Sequence, residues 1–171
     1  MFFCACIQNK GWIMKKIVIA ADRSGFPLKE TVKAYLLGKG YEVNDVGTLD
    51  PENPVFFFDG APRAAIEIQE GRAELGILVC GTGMGMAQLA NKFYGVRAAA
   101  CESVFAAGKC REINDSNVLC MGGWIIGGEM GIFMTEAFLS TGFTQGLPRE
   151  RADYLKSAWT KFDVIDAKNR K

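Results

Sequence analysis

Apolar residues along this chain follow two alternating rhythms. Short unbroken runs at Lys16–Ala21 (KIVIAA), Leu75–Val79 (LGILV), Val96–Ala100 and Val118–Met121 are rich in β-branched or small side chains. Such runs read as strands buried on both faces. A further strand is expected over Tyr41–Val46, stopped by Gly47. Elsewhere the apolar positions recur at helical spacing. Leu28, Val32, Tyr35 and Leu36 mark a helix from Phe26 to Leu37, closed by Gly38 and Gly40. Ala61, Ala65, Ile66 and Ile68 mark another over Asp59–Glu70, with Gly71 as its cap. Further helices are expected over Ala87–Phe93, Ser103–Glu112 and Gly128–Leu139. Pro148, favourable at a first helical position, opens a last one that runs through Phe162.

Strand followed by helix, repeated along the chain, means a parallel sheet covered on both faces. Right-handed crossovers make it an α/β, Rossmann-like, doubly wound three-layer sandwich. The expected sheet has five parallel strands in the order 2-1-3-4-5. Residues 14–171 are expected to form a single domain. The residues before the second methionine, MFFCACIQNKGWI, read as an extension (1–13) outside the fold. Their apolar part is too short to span a bilayer and lacks the layout of a signal peptide.

In such sheets ligands bind beyond the carboxyl ends of the strands, where strand order reverses. For the expected order that place lies between strands one and three. The segments leaving them are Asp22-Arg23-Ser24-Gly25 and Cys80-Gly81-Thr82-Gly83-Met84-Gly85-Met86. The second is a glycine-rich strand-to-helix turn, suited to a phosphate or a developing oxyanion and equally to tight packing. It lacks the Gly-Lys-Ser/Thr of a nucleotide-binding loop, and it follows strand three where a dinucleotide fingerprint follows strand one. Cys80, at a strand end and a helix start within the expected cleft, is a candidate reactive thiol or an inert core thiol. Asp22 either caps the next helix or binds substrate hydroxyls. Arg23 is a solvated side chain or an anion clamp.

Composition narrows the classes. A net charge of +1 gives no field to attract nucleic acid or an anionic membrane, so neither is an expected partner. The chain has six cysteines and no histidine, and no C-x-x-C pair, so no metal site is expected. Cys101, Cys110 and Cys120 lie in or beside apolar stretches and read as buried small hydrophobes. Free thiols fit a reducing compartment, and the expected location is the cytoplasm.

Several motifs together resemble one family. They are Ala21-Asp22-Arg23-Ser24-Gly25-Phe26, Asp45-Val46-Gly47-Thr48, Cys80-Gly81-Thr82-Gly83-Met84-Gly85-Met86, Ala90-Asn91-Lys92, Gly95-Val96-Arg97-Ala98-Ala99 and Asn114-Asp115-Ser116-Asn117-Val118-Leu119. In order and spacing they are similar to the ribose-5-phosphate isomerase B/galactose-6-phosphate isomerase family, from about Met14 to Tyr154. The resemblance implies aldose–ketose isomerisation of a small phosphorylated sugar through an enediolate, without metal or organic cofactor. It implies a homodimer, often paired into tetramers, with sites at the subunit interface and a C-terminal helix reaching the partner. Cys80 would be the base and Thr82 would orient it or assist proton movement. The N–H groups of Gly81, Thr82, Gly83, Met84, Gly85 and Met86 would stabilise the enediolate. Asp22 would bind hydroxyls, and Asn114 would reach into the partner's site.

The chain also departs from the family pattern. Arg23 replaces a usual histidine, and Ile113 replaces the histidine that opens the sugar ring. Phe56-Phe57-Phe58 stands for Asp-Tyr-Pro, and Gln145-Gly146-Leu147-Pro148 for Gly-Gly-Arg-His. One phosphate-binding arginine is thereby lost. Arg151 matches the second, and Arg149 and Arg23 could compensate. Without a ring-opening group, an open-chain substrate such as a tetrose or tetrulose phosphate is expected. The alternatives are a pentose or hexose phosphate isomerase, a non-catalytic sugar-phosphate-binding protein, and a nucleotide- or flavin-binding module.

Overall fold

A computed structural model describes residues 16–169. The expected extension over residues 1–13 lies outside them. In chain order the elements are β1 (Lys16–Ala21), α1 (Phe26–Gly38), β2 (Glu42–Asp45), α2 (Phe57–Gln69), β3 (Leu75–Cys80) and α3 (Met84–Ala90). They continue with β4 (Ala98–Ala100), α4 (Val104–Asn114), β5 (Val118–Gly122), α5 (Gly128–Ser140) and α6 (Arg149–Asn169). All strand pairs are parallel. Among the described residues no helix is long and apolar enough to cross a membrane.

The strand order is 2-1-3-5-4, which corrects the expected 2-1-3-4-5 at its last two places. Burial explains the exchange. All five residues of β5 are buried, whereas the three alanines of β4 are half-buried or exposed. An edge position suits the short strand with little apolar surface to lose, and the fully apolar strand takes two neighbours. β5 accordingly pairs with β3 (Leu78 opposite Cys120) and with β4 (Ala100 opposite Cys120).

The exchange also sets the faces. The chain reaches β4 by passing over β5, then turns back to it. Right-handed crossovers therefore put α3 beside α2 on one face and α4 beside α1 on the other, where α5 also packs. The packing agrees. Leu28, Val32 and Leu36 of α1, Ala107 of α4, and Met134 and Phe138 of α5 share one core. Ala61, Ala64 and Ala65 of α2 and Met86, Ala87 and Ala90 of α3 share the other. The helix after β3 thus leaves on the opposite face from the helices after both its neighbours. The end of β3 lies between two crevices.

Among the described residues one charged side chain is fully buried. Lys29 of α1 is 0% exposed and donates to Asp45 Oδ2 at 2.6 Å and to the carbonyl of Thr48 at 2.5 Å. Lys33 also reaches Asp45, at 2.7 Å. The Thr48 hydroxyl exchanges hydrogen bonds with the main chain of Val55, accepting at 3.0 Å and donating at 3.3 Å. α1, the end of β2 and the loop that leads into α2 are joined through this cluster.

Candidate active site

Three strand ends meet around Cys80. Asp22, just past β1, donates its main-chain N–H to the Val79 carbonyl of β3 at 3.2 Å. On the other side, Gly123 past β5 donates to the Cys80 carbonyl at 2.8 Å, and Trp124 to Gly81 at 3.0 Å. The approach requires missing side chains. A Cβ on Gly25 would lie 2.4 Å from the Val79 oxygen. Gly83 has φ +78°, and a Cβ there would lie 2.9 Å from the Met121 main chain. We expect Gly25→Ala to cost about 3 kcal/mol or more, because backbone must yield on both sides. Thermal denaturation would show this as a large fall in melting temperature or as insoluble expression.

Cys80 is the last residue of β3, 6% exposed, and the main-chain N–H of Gly83 donates to its sulfur at 3.1 Å. The Thr82 hydroxyl accepts from the Met84 N–H at 3.4 Å. The first turn of a helix leaves its N–H groups without intrahelical acceptors. Here the N–H groups of Gly81, Thr82, Gly85 and Met86 have no acceptor among the described residues. The Met86 side chain is buried in the core that α3 shares with α2, so only its main chain faces the turn's chemistry. α3 begins at Met84, earlier than the expected Ala87.

Asp22 Oδ1 accepts from the Gly25 N–H at 2.9 Å, shaping the turn into α1. Its other oxygen has no partner among the described residues. Arg23 is exposed and pairs with Glu52 at 3.5 Å. Asp22, Arg23 and the Cys80–Met86 turn are therefore brought together at one sheet edge.

Asn114, Arg149 and Arg151 are not brought there. Asn114 ends α4, just before β5 begins, while Cys80 pairs with Gly122 at that strand's far end. Val118 to Gly122 alone spans about 13 Å of strand. Arg149 and Arg151 are exposed in the first turn of α6. That helix is tied to the end of α4: Trp159 Nε1 donates to the Ile113 carbonyl at 3.4 Å. A cavity of about 570 Å³ lies in this region, lined by Asn114, Arg97, Cys110, Trp159 and Phe162 among others. No residue of the Cys80 turn borders it.

The other cysteines behave as core. Burial, and then the neighbouring Cys80, push the Cys120 thiol up. A hydrogen bond between Cys101 and Cys110 raises the first and lowers the second. All three are buried and free. Sequence reasoning missed Trp124 entirely. Its ring lies against Gly81 at the mouth of the turn, yet it is 75% exposed. Nothing in its local spacing separates it from the apolar residues that follow.

Residues 17–155 match the model of the Ribose/Galactose Isomerase family. The chain belongs to that family. It is 60% identical over 151 residues to the 4-deoxy-4-sulfo-D-erythrose isomerase of Clostridium sp. (strain MSTE9), covering 88% of this chain and 95% of that one. It is 39% identical over 135 residues to the D-erythrulose-4-phosphate isomerase of Pectobacterium atrosepticum, covering 78% and 88%. The crystal structure of a ribose 5-phosphate isomerase from Thermotoga maritima superimposes with a TM-score of 0.73 at 42% identity, covering 82% of this chain and 97% of that one. This ribose/galactose isomerase family member is an aldose–ketose isomerase.

Proposed function

We propose that this isomerase interconverts an open-chain four-carbon aldose and ketose with a terminal anion, and that the anion is a sulfonate on carbon 4. The observation that carries the reading is the Cys80 sulfur beside main-chain N–H groups left without acceptors. In the forward direction the Cys80 thiolate takes the proton from C2 of the aldose. The C2–H electrons form the enediolate double bond, and the carbonyl oxygen takes up the charge. The N–H groups of Gly81, Thr82, Gly85 and Met86, which have no acceptor among the described residues, hold that oxygen in this reading. The Thr82 hydroxyl passes a proton between O1 and O2, and the thiol returns its proton to C1. Asp22, through its unpartnered oxygen, holds a substrate hydroxyl.

Elementary chemistry links the tetrose to Ile113. A furanose ring on four carbons needs a free hydroxyl on C4. A C4 sulfonate has none, and a C4 phosphate ester blocks it. Such a sugar is already open and needs no acid–base group at position 113. The 60% identical relative carries a sulfonated tetrose in its name. A sulfonate also carries one charge where a phosphate carries nearly two, in keeping with Leu147 at the place of a family arginine. The phosphate ester is the second reading, favoured by the name of the 39% identical relative.

The anion and the reacting end require a second copy of the chain. Asn114 and the α6 arginines lie at the opposite end from Cys80, beyond the length of a four-carbon substrate. A homodimer would place one subunit's Asn114, Arg149 and Arg151 against its partner's Cys80. We place the reaction in the cytoplasm, a reading supported by the free thiols of Cys80, Cys101, Cys110 and Cys120.

Deuterium exchange at C2 in heavy water, followed across four-, five- and six-carbon substrates, tests the reading. Exchange and turnover are expected on 4-deoxy-4-sulfo-erythrose. Ordinary efficiency on ribose 5-phosphate, with none on either four-carbon sugar, would sink it. Mixing tests the shared site. Cys80→Ala and Asn114→Ala, each nearly inactive alone, should together recover about a quarter of wild-type activity after subunit exchange, from hybrid dimers with one intact site. No recovery from exchanged subunits would place the whole site within one chain.

A further inference from the structure

We infer that Trp124 and Phe57 form an aromatic gauge on either side of the Cys80 turn, which sets the length of sugar that the site accepts. The inference rests on the isomerase reading of that turn. A Cβ on Gly81 would approach the Trp124 ring at 2.9 Å, so the indole lies directly on the residue after Cys80. A Cβ on Gly85 would approach the Phe57 ring at 3.1 Å. The turn is thus bounded by one ring at its first residue and another where α3 begins. Both rings also face outward, Trp124 75% and Phe57 39% exposed.

The main chain that carries each ring is tied to the rest of the fold. Trp124 sits on a turn whose main chain is bonded to the end of β3 through Gly123 to Cys80 and Trp124 to Gly81. Phe57 opens α2, and the loop before it is anchored by the Lys29–Thr48–Val55 bonds. Phe57 and Phe58 also meet edge to face, with centroids 5.4 Å apart.

The chemistry of the rings decides what fits. Phe57 has no hydrogen-bonding group, and Trp124 has a single donor at its ring edge. A hydroxyl of an extra CHOH unit that presses against either ring face gives up water there and gains no hydrogen bond from the ring face in return. A four-carbon chain has its reacting carbons, C1 and C2, at Cys80 and a single CHOH unit, C3, before the carbon that carries the anion.

The test compares wild type, Trp124→Ala and Phe57→Ala, with Trp124→Leu and Phe57→Leu as milder versions should an alanine variant unfold. Two ratios are measured. One is kcat/KM for 4-deoxy-4-sulfo-erythrose over ribose 5-phosphate. The other is the dissociation constant for erythronate 4-phosphate against that for ribonate 5-phosphate, which needs no turnover. Opening either wall should shift both ratios toward the five-carbon compound by about tenfold or more. The melting temperature should barely move, which separates a gauge from a structural prop. Ratios within about twofold of wild type in folded variants of both positions would overturn the inference. A shifted binding ratio in an enzyme that turns over no tetrose would keep the gauge and remove the tetrose reading.

Discussion

Cys80→Ala is expected to lose about three orders of magnitude or more in kcat, with the fold intact. A positioned base contributes on this scale, and among the described residues no other thiol lies in the turn that ends β3. Cys101 and Cys120 are held protonated by their surroundings, and all three neighbouring cysteines are buried in the core. Cys80→Ser is the sharper control. Its hydroxyl can still accept from the Gly83 N–H, so the turn keeps its shape, but it does not ionise at neutral pH. Both variants should melt within a few degrees of wild type, since alanine leaves one N–H unpaired at a cost of about 1 kcal/mol. Loss of C2 deuterium exchange together with loss of turnover identifies the missing step as proton abstraction. An alanine variant with near-normal exchange would remove the thiol from the mechanism.

Lys29→Met should lower the stability of the fold substantially. It leaves Asp45, 7% exposed, and the Thr48 carbonyl without the cation that both face. Breaking a buried pair from one side costs about 3 kcal/mol or more. Lys33 still reaches Asp45 and keeps the loss toward the lower end of that range. In a chain of this size the melting temperature should fall by roughly 6–12 °C, read by calorimetry. The double variant Lys29→Met with Asp45→Asn should recover part of the loss, because no uncompensated carboxylate remains. Equal stability of wild type and Lys29→Met would mean that the cluster contributes nothing net. The same variant should weaken the loop that carries Phe57, so its sugar-length preference should relax along with its stability.

Most of the fold was legible in the chain, for a local reason. Burial on both faces leaves unbroken apolar runs such as KIVIAA and LGILV, and packing on one face leaves a helical stripe such as Leu28, Val32 and Leu36. These signals live within a single element, so the strands and helices, their parallel arrangement and the glycine-rich turn after β3 could all be read from residue order. The glycines announced the turn because only they permit its close approaches and its positive φ. The places of Asp22 and Cys80 were legible because one follows the end of a strand and the other is a strand's last residue.

Tertiary structure decided what depends on two elements meeting. The exchange of β4 and β5 follows from which strand has more surface to hide, a comparison between distant segments that no local period records. Asp22 turns one oxygen to Gly25, settling part of a choice that its position left open. Trp124 looks like any apolar residue until the β5 turn is docked on Gly81. Asn114 and the α6 arginines, close to the site in motif logic, stand at the other sheet edge in space. Residue order encodes how each segment hides its own apolar face. The strand neighbours, the aromatic walls and the distance from Cys80 to Asn114 come from how those segments share one interior.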